Sequence, residues 1–94
     1  MQYSDLSFNQ TKIPRGIQSK ISYNSYMLSI VQNEASYGNE LGLFEIAVFK
    51  DGQQTPLEGV TEDGDTVKGF LTEDMISGIL TKMTEITKES GVQL

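Results

Sequence analysis

The sequence contains no cysteine and no histidine. Each absence removes a class of chemistry. Without cysteine there is no disulfide framework, no thiolate nucleophile and no cysteine-ligated zinc. Without histidine, the commonest general base and the commonest metal ligand are both missing. A Ser-His-Asp or Cys-His site cannot be assembled within one such chain. Neither G-x-G-x-x-G nor the P-loop pattern occurs, so no phosphate-cradling loop of either kind is present. The expectation is a protein that is not an enzyme and that uses no cofactor and no metal. Long apolar runs are missing as well, and a membrane span needs about 18 residues. Met1–Asp5 shows neither a basic n-region nor an apolar h-region, so no secretion signal is expected. Asn9-Gln10-Thr11 matches a glycosylation acceptor, which means nothing without such a signal.

Cations are scarce. Seven Lys and Arg stand against 13 Asp and Glu, for a net charge of −6 over 94 residues. The imbalance is local. Residues 1–33 carry +2, residues 34–74 carry −8, and residues 75–94 carry 0. Phosphates repel such a middle segment, so nucleic acid is not expected as a direct partner. An anionic membrane surface is not expected as a partner on the same ground. A basic or nucleic-acid-binding surface of another protein is the natural complement, because opposite fields speed encounter. Acidic side chains also serve solubility alone.

The length fits one domain over residues 1–94, with one modest core. Residues 1–16 are polar and end in Ile13-Pro14-Arg15-Gly16, which reads as an irregular arm that packs late or frays. A strand is predicted over about residues 20–32, around Met27–Val31. Gln32–Gly42 reads as a loop turning at Gly38-Asn39. Leu43–Lys50 alternates, with Phe44, Ile46 and Val48 on an apolar face and Leu43, Glu45, Ala47 and Phe49 on a mixed one. Asp51-Gly52 signals a hairpin turn. Gln53–Thr55 returns as a third strand that ends at Pro56. Residues 58–70 read as an acidic loop. Met75, Ile76, Ile79, Leu80, Met83 and Ile86 then repeat at helical spacing, predicting a helix over about residues 73–89. Thr72 is placed as its N-cap, with Leu71 and Ile76 as a hydrophobic staple. Gly91 is placed as its stop. The predicted architecture is α+β: a small antiparallel sheet of about three strands, with one C-terminal amphipathic helix packed on one face.

Glu62-Asp63-Gly64-Asp65 invites a calcium reading. An EF-hand loop from Asp63 puts Lys68 where glycine is required and Asp74 where glutamate is usual, so the pattern fails. The acids Glu58, Glu62, Asp63, Asp65, Glu73 and Asp74 are instead candidates for contact with a basic partner. Tyr23, Tyr26 and Tyr37 join them, since tyrosine gives large contact area at low entropic cost.

Three segments form an ordered set: Ser36-Tyr37-Gly38 with Leu41–Val48, then Asp51-Gly52, then Val67–Asp74. This set resembles a class of small bacteriophage and prophage proteins that carry a "SYG…GLYE-AV…DG" segment and a closing "V-GYLT-E-V" that leads into a terminal helix. The likeness covers about residues 27–87. It departs at Phe44 and Phe70, where the pattern carries Tyr, and in the longer N-terminal arm. The resemblance implies a phage origin, a strand-hairpin-helix order and no known enzymatic activity, and a protein of this kind is expected in the cytoplasm of a bacterial host. It transfers no catalytic residue. With the acidic charge, it leads to the expectation of a phage-encoded inhibitor of a host protein, of anti-CRISPR or other anti-defence type. A self-associating phage structural or accessory protein, such as a homodimer built on the mixed face of residues 43–50, is the competing expectation. A binder of a signalling nucleotide is the third, weakened by the lack of a basic pocket.

Overall fold

The computed structural model describes residues 1–94. It contains strands β1 (Asn9–Lys12), β2 (Arg15–Tyr23), β3 (Tyr26–Asn33), β4 (Phe44–Lys50), β5 (Gln53–Gln54) and β6 (Val67–Leu71), then helix α1 (Glu73–Thr87) and strand β7 (Val92–Gln93). Two 3-10 turns cover Tyr3–Asp5 and Asn39–Leu41. The architecture is α+β with an antiparallel sheet and one helix late in the chain. The sheet has seven strands, however, and not about three.

Four segments account for the difference. The polar arm pairs: Asn9–Lys12 runs antiparallel to Arg15–Gln18 around an Ile13-Pro14 turn, whose peptide bond is cis. Tyr3, Leu6 and Phe8 pack against the core. The predicted strand over residues 20–32 is two strands, folded back at Asn24-Ser25. Asn24 takes a φ of 59°, a conformation asparagine tolerates better than most residues. The acidic loop ends early and becomes β6. Finally, Gly91 does not stop the helix. Lys88 does, at φ 61°, and Gly91 leads into β7. At Gly91 a Cβ would lie 2.8 Å from Cε1 of Tyr23, so only glycine passes there.

The seven strands make a sheet five wide. β1 and β7 share the outer edge of β2, and β5 and β6 share the outer edge of β4. Asp51 and Gly52 both have positive φ, as the β4–β5 turn requires. Register places Ile21, Leu28 and Val48 in one row across the sheet. Ser19, Ile30 and Ile46 form the next row on the same face. Helix α1 covers this face with Ile76, Ile79, Leu80 and Met83, all part of one core cluster. Tyr3, Phe8 and Phe44 close its end with ring centroids 5.4–5.7 Å apart. Met75 and Ile86 flank the helical stripe and are exposed, so the core stripe is narrower than the spacing predicts. The Thr72 hydroxyl caps the helix by accepting from the Met75 amide at 3.2 Å.

The opposite sheet face carries Gln18, Lys20, Met27, Ser29, Ala47 and Phe49, with no helix over it. The mixed face predicted for residues 43–50 is this one. The chain end is tied down at the β2 edge. The Gln93 side chain accepts from the Ser7 amide and donates to Ser19 Oγ (both 2.9 Å) and to the Lys20 carbonyl (3.1 Å).

Candidate functional site

The three tyrosines singled out by sequence separate in space. Tyr23 is fully buried, so it leaves the candidate surface. Its position on the inner face of β2, beside the turn, puts its ring under Gly91. Its hydroxyl has no hydrogen-bond partner, and burial pushes its pKa up to about 12. Tyr26 is half-buried, with Lys50 Nζ 5.3 Å from its ring centroid. Tyr37 is 62% exposed. The Tyr3 hydroxyl is also raised, by burial first and by the Glu73 carboxylate second.

The acids are all exposed, but they do not form one continuous loop. Val60 and Thr61 are buried and anchor its middle. Thr61 Oγ1 accepts from the Leu57 amide at 3.0 Å, and the Thr61 amide donates to the Leu57 carbonyl at 2.9 Å. Glu58 lies before this anchor. Glu62, Asp63 and Asp65 lie after it, in a turn closed by Asp65 N–H to the Glu62 carbonyl at 2.9 Å. Strand β6 then separates that turn from Glu73 and Asp74 in the first turn of α1. No group of three or more acidic side chains gathers closely enough to hold a metal ion.

The strand between the two acidic groups holds the most unusual residue. Ladder pairs run Ala47–Val67, Ile46–Lys68, then Phe44–Leu71. Between the last two pairs, β4 spends one residue, Glu45, and β6 spends two, Gly69 and Phe70. This is a β-bulge, and a bulge re-aims a side chain. Strict alternation would put Phe70 on the side of Lys68 and Leu71 on the other. The extra residue lets Leu71 turn in beside Phe44, where it is buried, and leaves Phe70 outside at 57% exposure. Phe70 has a φ of 58°, in the left-handed region where a bulky residue is an outlier.

Neighbours hold it there. Tyr37 stacks on Phe70, centroids 6.4 Å apart and planes 23° from parallel. The Phe70 amide donates to the Tyr37 carbonyl at 3.4 Å. The Tyr37 amide donates to Glu45 Oε1 at 2.7 Å, so the residue opposite the bulge also positions the second ring. Gly69 is obligatory, since a Cβ there would sit 2.6 Å from Tyr37 Cβ. Three shallow depressions meet at Phe70. One, of about 350 Å³, carries Glu34, Glu40 and exposed Leu41 with both rings. A second, of about 390 Å³, carries Glu62, Asp65 and Lys68 with both rings. The third, of about 420 Å³, runs towards α1 and is lined by Met75, Ile79, Lys68 and Lys82. Sequence reading found Tyr37 and the acids but passed over Phe70. The available signal was a large apolar residue directly after glycine, at the end of an acid-rich segment.

Compared with known proteins, the chain matches no family model, no curated protein and no solved structure. No helix is long and apolar enough to cross a membrane. The arrangement offers contact area and negative charge: two stacked aromatic rings, adjoining apolar side chains, and carboxylates on both sides.

Proposed function

We propose that this chain is a non-enzymatic binding protein that docks the Tyr37–Phe70 stack, with its acidic borders, onto a basic surface of a partner protein. Its role under this reading is that of a phage-encoded inhibitor of a bacterial host protein, of anti-CRISPR or another anti-defence type. The carrying observation is Phe70. Single exposed apolar residues are ordinary. A ring more than half exposed, held at positive φ and stacked on a second exposed ring, is not. Backbone strain of this kind persists where surrounding structure enforces it, and it clusters at functional positions. Aromatic anchors surrounded by polar groups are the usual make-up of a binding hot spot. The −8 carried by residues 34–74 would steer such a surface towards cations. The resemblance to phage proteins supports the phage origin in this reading, and the inhibitor role is drawn by analogy of size and charge.

The test is capture of partners from bacterial lysate on immobilised chain, beside a variant with Glu62, Asp63 and Asp65 changed to Lys. The expected result is one abundant basic protein retained by the parent chain, released by salt and missed by the variant. Equal retention by both chains contradicts the reading.

A second reading has its own observation. Met27, Ala47 and Phe49 lie together on the uncovered sheet face, a surface suited to a second copy of the chain. Self-association there would appear as mass rising with concentration, and a monomer at every concentration rules it out.

A further inference from the structure

The binding surface has a feature finer than its charge. We propose that the depression between the Tyr37–Phe70 stack and the Glu62–Asp65 turn receives an arginine side chain of the partner protein. The inference rests on the docking reading above and names the group that the surface recognises.

Chemistry selects arginine. Two exposed rings line this depression together with two carboxylates. A guanidinium is planar and weakly hydrated, so it stacks on a ring face while donating paired N–H groups to carboxylate oxygens. An ammonium is a compact, strongly hydrated point charge and fits only the second half of that description. The carboxylates are already placed. The Glu62 amide donates to the Val67 carbonyl at 3.0 Å, fixing the turn to β6. Asp65 Oδ1 accepts from the Thr66 amide at 2.7 Å, which orients the carboxylate and leaves Oδ2 open. Lys68 lines the depression too, and its charge opposes an incoming cation. The site therefore carries its own counterweight, which can be removed.

The probe is a blocked peptide of alternating glycine and arginine, with its lysine twin as control. Binding is followed at low salt by amide and aromatic NMR signals of the full chain. The arginine peptide is expected to give saturable shifts centred on Gly69, Phe70 and the Tyr37 ring. The lysine peptide should bind at least several-fold more weakly. Asp65→Asn should weaken arginine binding by about tenfold, in line with loss of one charge-assisted hydrogen bond. Lys68→Gln should strengthen it. The amide spectrum itself reports whether each variant is folded. Equal shifts from both peptides, spread over all the acids, would overturn the proposal, as would no shift at the stack. Either failure sinks only the arginine assignment if the captured protein is still lost on charge reversal. If capture fails as well, the docking reading falls with it.

Discussion

At the scale of single residues, Phe70 and Tyr23 are both placed at a cost, and the costs differ in kind. A left-handed φ costs a non-glycine residue about 1–2 kcal/mol. Phe70 bears it while leaving most of its ring in water. In Phe70→Gly the strain is relieved, offset by the greater freedom of glycine in the unfolded chain. The variant should remain within about 1 kcal/mol of the parent in chemical denaturation. A loss of several kcal/mol would make Phe70 a structural residue. Tyr23 is buried with an unpartnered hydroxyl. An unsatisfied buried hydroxyl costs about 1–3 kcal/mol, so Tyr23→Phe should be neutral or stabilising. Its pKa also sets a pH signature. The folded value, about 12, lies above the ordinary value of 10.0. The contribution is therefore intact below pH 10, and stability falls as pH rises from there towards 12, because the unfolded chain loses the proton first. The steepest slope from one such group is about 1.4 kcal/mol per pH unit. Melting curves across that range should separate the parent from Tyr23→Phe.

At the scale of elements, legibility tracked how strongly each pattern alternated. β4 and α1 were readable because one face of each is wholly apolar: Phe44, Ile46 and Val48, or Ile76, Ile79, Leu80 and Met83. The Asp51-Gly52 turn was readable because its chemistry is specific. β1 was not, because Asn9–Lys12 is an edge strand that buries almost nothing and so shows no period. The β2–β3 hairpin was hidden because Asn24-Ser25 contains no glycine. β6 was hidden because the bulge breaks its alternation at Gly69-Phe70, the same irregularity that builds the candidate site. Tyr37 and the acids were legible as residue types, while their meeting with Phe70 depends on that bulge. β7 depends on tertiary bonds. Gln93→Ala removes the side-chain hydrogen bonds to Ser7, Ser19 and Lys20 and leaves the buried Ser19 hydroxyl without its partner. About 1–3 kcal/mol of stability should be lost, with faster amide exchange in β1 and β7 than elsewhere. Uniform protection in that variant would show that the strap is ornamental.

At the scale of the whole molecule, charge and shape are divided. One sheet face and α1 enclose the core, and the uncovered sheet face stays mixed. The acid-rich segment, residues 34–74, supplies the stack, the bulge and the carboxylates around them. Between exposed charges the field is strong at low salt and screened beyond about 10 Å at 0.1 M. Partner association should therefore slow as salt rises, while dissociation, governed by the two rings once docked, should change less. Surface plasmon resonance across a salt series separates the two rates. Loss confined to the dissociation rate would contradict an electrostatic approach.

The most direct measurement uses one substitution in two assays. Parent chain and Phe70→Gly are immobilised side by side, exposed to the same bacterial lysate, and the retained proteins are identified by mass spectrometry, with both folds checked by denaturation. The expected result is a basic protein held by the parent and lost from a variant of near-parental stability. The same protein held equally by both would contradict it.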